Sequence, residues 1–337
     1  MSNLTSREIQ LKSRPQALPS VENFEFVEVT VAEPKAGEVL VKNIYMSVDP
    51  YMRGRMRSAR SYAAPFEIGE TLYGGCVGQI IKSKSDDFKE GDYVTTMHGW
   101  REYSVSPTKG MNKVNPDLAP LSAFLGTLGM PGMTAYVGLN NIGKPQAGET
   151  LFVSAASGAV GAVASQIGKI MGCRVIGSAG SDEKVAWLKE VAGVDAAFNY
   201  KKVGNLEDAM AEACPQGIDV YFENVGGAHL EAALNLMNRF GRIPFCGMIA
   251  GYNDKIPGPT NLALVIGKCL IIQGFIVSNH ADMAPQFLKE VGSWVKEGKI
   301  KSKETIVEGI ENAPAAFIGL FSGDNFGKMI VKLADQN

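Results

Sequence analysis

Val153–Ile170 reads VSAASGAVGAVASQIGKI. An apolar run enters a knot of Ala, Ser and Gly and leaves it as a helical pattern, with Val160, Val163, Ile167 and Ile170 close to helical spacing. Two structures can be built from such a knot. One is a glycine-rich turn between a strand and a helix N-terminus, which offers backbone N–H groups and a favourable dipole to a pyrophosphate. The other is a helix held close to a strand by small residues, with no ligand. The usual dinucleotide fingerprint is G-x-G-x-x-G, and here Ala155-x-x-Gly158-x-x-Gly161 stands in its place. With Ala at the first position the turn is expected to be less tight or slightly displaced. The stretch alone does not separate the two readings, so its neighbours decide.

From about Met130 strand-like and helix-like runs alternate at βαβ spacing. TLFVSAA is followed by a helix from about Ala159 to Met171, then CRVIGSA and a helix from Asp182. AAFNY, LEDAMAEAC, IDVYFENV, HLEAALNLM and GRIPFCG continue the alternation, and a sixth strand near Leu270–Val277 precedes a helix around Pro285–Lys296. Six strands with crossovers are the content of a doubly wound, six-stranded parallel Rossmann sheet in an α/β protein, and they favour the dinucleotide turn. The chain before this is different. Its short runs FEFVEVTV, EVLVKNIYMSV, YGGCVGQIIKS, GDYVTTM and WREYSV are cut by turns and suggest a β-rich, partly barrelled domain. The tail, with KMIVKLA, is expected to complete it. The domains are therefore expected at 1–130 with 299–337, and at 131–298, with the working site in the cleft between them.

Composition narrows the function. The 337 residues are 45% hydrophobic and carry a net charge of −2, which gives no basic footprint for nucleic acid or an anionic membrane. The most apolar window, Leu262–Val277, is broken by Lys268 and Gln273, falls short of a membrane span, and reads as a helix end followed by a buried strand. The first residues, MSNLTSREIQLKSRP, lack the apolar core of a signal peptide, so a cytoplasmic protein is expected. Five widely spaced cysteines without a C-x-x-C pair favour free thiols, and nothing supports a metal site. No Ser/His/Asp or Cys/His spacing suggests covalent hydrolysis.

The end of the second strand selects the cofactor. An NAD site would place an Asp or Glu there, whereas this chain has Gly177, Ser178, Ala179 and Gly180 in VIGSAGSDEK. Asp182 and Glu183, behind Ser181, fit the first turn of a helix. Lys184 is then able to reach a 2′-phosphate, with Ser178 and Tyr200 as hydrogen-bond donors, although a solvated surface lysine is the plainer alternative. NADPH rather than NADH is expected. Asn224, in FENVGG, is a candidate nicotinamide-ribose contact or simply a turn former. Tyr252, in CGMIAGYN, could polarise a carbonyl or deliver a proton, or only pack.

These strings, together with SVDPYMRGRM, LGMPGMTAY, QGFIV and ENAPAAFIGLFSGDNFGK, resemble the zinc-independent medium-chain dehydrogenase/reductases over essentially the whole chain. The resemblance is to the branch of the prostaglandin, alkenal double-bond and curcumin reductases. Where zinc-dependent cousins have Gly-His-Glu, this chain has GETLYGG at Gly69–Gly75, and it lacks their cysteine-rich lobe. The resemblance implies a Rossmann domain beside a β-rich, GroES-like catalytic domain, and NADPH-dependent reduction of the C=C bond of α,β-unsaturated ketones and aldehydes. It implies that Gly158, Ala159, Val160 and Gly161 hold the pyrophosphate, and that Gly180, Lys184 and Tyr200 surround the adenosine ribose phosphate. It puts Asn224, Cys246, Gly247, Tyr252, Phe275, Ile276, Val277 and Asn325 on the nicotinamide side, with Pro50 and Tyr51 across the cleft. Tyr51, Tyr62 and Tyr252 are the candidate substrate contacts, and the chemistry of hydride addition to an enone makes Tyr252, as a donor to the enolate oxygen, the candidate catalytic residue. It also implies a homodimer joined through the Rossmann sheets, giving the Leu270–Val277 strand an edge partner. A quinone or alcohol oxidoreductase on the same fold, and a non-catalytic NADPH sensor, are the competing expectations.

Overall fold

The computed structural model describes residues 4–336. It divides into two compact units: Met1–Leu125 with Glu304–Asn325 and Met329–Asn337, and Gly126–Lys303 with Phe326–Lys328. The second unit therefore starts at 126 rather than 131, ends at 303 rather than 298, and takes back a short piece of the tail.

The first unit is β-rich. Thr5–Leu11 and Phe24–Thr30 form an antiparallel pair. In the larger sheet Glu38–Ser47 pairs antiparallel with Cys76–Ser83, with Tyr103–Pro107 and with the chain's last strand, where Ile330 lies opposite Ser47. The tail thus completes this sheet. Its core holds Phe24 stacked on Trp100 at 5.9 Å, with Phe317 edge-on to both.

The second unit is a doubly wound α/β fold. Its strands are β1 (Thr150–Val153), β2 (Arg174–Ala179), β3 (Ala196–Asn199), β4 (Ile218–Phe222), β5 (Met237–Phe245) and β6 (Ile271–Gly274). They lie in the order β3-β2-β1-β4-β5-β6, and every pairing is parallel. That is the Rossmann order, whose direction of winding reverses at β1 and leaves a crevice at the carboxyl ends of β1 and β4. Helices α1 (Gly161–Ile170), α2 (Asp182–Glu190), α3 (Leu206–Ala213), α4 (Gly227–Leu236), α5 (Ala263–Gly267) and α6 (Ala284–Lys296) connect or follow the strands. β1 is buried along its whole length, as a central parallel strand covered on both faces must be. Phe152 and Tyr221, on adjacent strands, meet at 5.4 Å among Ile176, Ile218, Leu230 and Leu234.

Two expectations are corrected. β5 begins at Met237, and its pairing with β4 shifts register between Ile218 and Val220, near Phe240 with its φ of 64°. β6 is shorter than expected and exposed along its length, because it is the last strand of the sheet and the chain turns at Val277 into a 3₁₀ stretch. Among the described residues no helix is long and apolar enough to cross a membrane.

Candidate functional site

The turn after β1 is tighter than its sequence suggested. Ala155 takes φ 47°, the left-handed conformation that the missing glycine would have supplied, so the alanine bears the strain rather than relaxing the turn. Such a conformation costs an L-residue about 1–2 kcal/mol. Gly158 donates its N–H to the Ala155 carbonyl at 2.9 Å. At Gly161 a Cβ would stand 2.3 Å from the same carbonyl oxygen, so only glycine lets α1 start this close to the strand. Ala159 and Val160 lie half-buried between them, and α1 begins without a side-chain cap. Uncapped N–H groups at the start of a helix, behind a glycine-shaped turn, suit an anion. A segment that sequence reasoning missed lies against this turn: Gly327 donates its N–H to the Ser157 carbonyl at 2.9 Å, and Phe326 packs edge-on against Trp187.

The end of β2, Gly177–Gly180, carries no Asp or Glu, and the nearest acids, Asp182 and Glu183, lie in the first turn of α2. Ser181 caps α2 by accepting from the Lys184 N–H at 3.3 Å. Asp182 accepts from Asn199 Nδ2 at 2.7 Å and from the Lys202 ammonium, and these two partners hold its carboxyl below the usual range. Lys184 is half-buried in the first turn of α2. Gly180 and Tyr200 come together: a Cβ at Gly180 would lie 3.3 Å from the Tyr200 hydroxyl. Ser178 does not join them. It is completely buried, 3.1 Å from His229 Nε2, because it points into the core side of the strand end.

A second cluster sits at the ends of β4 and β5, tied to the turn through Ser154. Asn224 donates its backbone N–H to Ser154 Oγ at 2.9 Å and its Nδ2 to the Ser154 carbonyl at 2.7 Å, and its Oδ1 accepts from Cys246 Sγ at 3.0 Å. The side chain is thus engaged in building the turn as well as bordering the crevice. Beneath it, buried Glu223 accepts through Oε1 from the N–H groups of Val225 (2.6 Å) and Gly226 (2.9 Å) and from Ser154 Oγ (3.1 Å). Burial pushes Glu223 up. Burial, with Glu223 beside it, also pushes the Cys246 thiol up, so that thiol stays protonated at neutral pH. Gly247 lies between Asn224 and Tyr252: its missing Cβ would stand 3.1 Å from the Asn224 carbonyl oxygen and 3.5 Å from the Tyr252 hydroxyl. Tyr252 follows the single turn Ile249–Gly251 and accepts from the Met248 N–H at 3.4 Å. Asn224, Cys246, Gly247 and Tyr252 therefore form one group.

Phe275, Ile276 and Val277 are half-buried just past β6, with Phe275 edge-on to His280 at 6.3 Å and close behind Gly138. Pro50, Tyr51, Tyr62 and Asn325 belong to the first unit. There Tyr51 is half-buried and its phenol pushed up by burial and by Asp49, while Tyr62 is 62% exposed. Sequence reasoning also missed His229, Glu223 and Ser154. A strand-end acid before Asn-Val-Gly-Gly was the one signal available, and it pointed to Glu223 alone.

A family profile described as the N-terminal domain of oxidoreductase matches residues 7–114, and one described as zinc-binding dehydrogenase matches 159–293. The residues do not fit a zinc ion: among those described, no group of three or more His, Cys, Asp or Glu could hold a metal. The chain is 44% identical to the NADPH-dependent curcumin reductase of Escherichia coli, over 97% of this chain and 96% of that one. It is 43% identical to the NADP⁺-dependent 2-alkenal reductase of Nicotiana tabacum, over 99% of both. The crystal structure of CurA from Vibrio vulnificus in complex with NADPH superposes with a TM-score of 0.93 at 42% identity, covering 98% of this chain and 100% of that one. With the Rossmann strand order, the glycine-shaped turn and these whole-length matches together, the chain belongs to the medium-chain dehydrogenase/reductases, in their zinc-independent branch of curcumin and alkenal reductases.

Proposed function

We propose that this protein reduces the C=C bond of α,β-unsaturated ketones and aldehydes with NADPH. The observation that carries the reading is the end of β2, Gly177–Gly180, which lies beside the glycine-shaped turn and holds no Asp or Glu, the nearest acids, Asp182 and Glu183, standing in the first turn of α2. An unpaired carboxylate there would repel a 2′-phosphate. The relatives named for NADPH-dependent reduction of curcumin and of 2-alkenals support it, because both substrates hold a C=C bond conjugated to a carbonyl.

The residues fit the dinucleotide. Gly158, Ala159, Val160 and Gly161 would cradle the pyrophosphate, Gly180, Lys184 and Tyr200 the adenosine ribose phosphate, and Asn224, Cys246 and Gly247 the nicotinamide side. When bound, NADPH supplies a hydride, which the β-carbon of the enone accepts. The chain contributes electrostatics: negative charge develops on the carbonyl oxygen, and a donor aimed at that oxygen lowers the barrier. We assign the Tyr252 hydroxyl to that place, and the α-carbon is then protonated. The same reading takes the protein as a cytoplasmic homodimer. Its five cysteines are free thiols, which suits a reducing compartment.

The test is to incubate the protein with NADPH and, separately, a 2-alkenal, a long-chain enone, a diarylheptanoid and a quinone, following cofactor oxidation and identifying products. Oxidation with the enones, yielding saturated carbonyl compounds, is expected. Oxidation with the quinone alone would reassign the chemistry, and none with any compound would leave a nucleotide-binding protein without turnover.

A further inference from the structure

His229, in the first turn of α4, is 4% exposed and has no place in the reaction above. Its Nε2 stands 3.1 Å from Ser178 Oγ, and its ring meets Tyr200 edge to face at 5.1 Å and 80°. Burial pushes the imidazole down to about 4, so it is neutral at physiological pH. A leucine would fill the same space without that desolvation cost. What the imidazole adds is orientation. Ser178, fully buried at the end of β2, fixes the ring, and the ring backs Tyr200, which follows the end of β3. The Tyr200 hydroxyl in turn stands 3.3 Å from where a Cβ of Gly180 would be. Three residues from three separate segments thus form a column running from the core to the cofactor-facing surface.

We propose that His229 is a positioning residue for the adenosine-phosphate end of NADPH, holding the Tyr200 ring so that its hydroxyl stands over Gly180. The proposal rests on the reading that Gly180, Lys184 and Tyr200 surround that phosphate. His229→Leu removes the hydrogen bond and the ring, and His229→Phe keeps a ring. With saturating enone, His229→Leu should raise KM for NADPH about three- to tenfold, the size of one aromatic edge contact. It should leave KM for NADH unchanged and kcat within about twofold. His229→Phe should recover part of the loss, and in a Tyr200→Ala background His229→Leu should have no further effect. If His229→Leu fails to fold, Ser178→Ala, which unlocks the imidazole without removing it, carries the same expectation for the two KM values. An unchanged KM for NADPH, or an equal rise for both cofactors, overturns the proposal. Lys184→Ala and Tyr200→Ala separate it from the reading beneath. If those two act on NADPH alone while His229→Leu acts on neither cofactor, only the positioning role falls. If they act equally on both cofactors, the phosphate site is elsewhere and both fall.

Discussion

Tyr252 accepts from the Met248 N–H at 3.4 Å, a long bond that fixes the phenol oxygen loosely over Gly247. On the proposal that this hydroxyl donates to the developing oxyanion, Tyr252→Phe should lower kcat by about a hundredfold, the effect of losing one such donor. KM for NADPH should hardly change. Steady-state kinetics with a 2-alkenal checks this, and unchanged turnover would take the role from Tyr252. His229 makes a different prediction, on stability. Its folded value of about 4 lies below the ordinary 6.5, so the neutral imidazole contributes stability that is present in full above pH 6.5. That contribution is lost as pH falls from 6.5 toward 4, because the unfolded chain takes up the proton first, and it amounts to roughly 3 kcal/mol. Urea denaturation at pH 7 and pH 4.5 should show a smaller loss of midpoint in His229→Leu than in the parent protein.

At the scale of elements, the turn joining β1 to α1 carries opposite predictions at its two ends. Ala155→Gly relieves a left-handed alanine at φ 47° but adds unfolded-state entropy, so it should stabilise by at most about 1 kcal/mol. Gly161→Ala forces a Cβ to within 2.3 Å of the Ala155 carbonyl oxygen, must shift either strand or helix, and should weaken NADPH binding together with stability. Thermal melting with and without NADPH measures both. The same turn shows what the sequence could tell. A strand, small residues and a helical pattern in register gave β1 and α1, because each is set by local periodicity. That Ala155 would adopt the glycine conformation could not be read, since Gly161 and the close approach of α1 enforce it. Ser178 looked like a phosphate donor because its position at a strand end was legible, whereas the direction of its hydroxyl depends on His229, distant in sequence. Asp182 was legible as a helix-start acid, but its engagement by Asn199 and Lys202 belongs to tertiary structure. The sixth strand was legible as an apolar run, and its place at the sheet edge followed only from the resemblance, because strand order is fixed by crossovers rather than by composition.

That edge bears on the assembly of the whole molecule. β6 is the last strand of the parallel sheet, and among the described residues its outer row of backbone groups has no neighbouring strand in the sheet order. Ile266 on α5 is 83% exposed and Ile271 on β6 is 56% exposed, with Leu262, Ile272 and Phe240 also exposed. Phe240 belongs to the same region, since its N–H donates to the Lys268 carbonyl at 2.8 Å. Scattered apolar side chains on a surface are ordinary, but a group of them around an open sheet edge is a liability that a protein covers or blunts. No proline interrupts β6, and no charge lies within it. A second copy of the chain related by a twofold axis would supply both a pairing strand and a matching apolar surface. The protein should therefore run at twice its 36.1 kDa chain mass in size-exclusion chromatography with light scattering at micromolar concentration. Ile266→Asp combined with Ile271→Asp should shift it toward the single-chain mass, because burying like charges without partners in an apolar contact costs more than such a contact returns. A parent protein already at the single-chain mass would show that this edge stays open in solution.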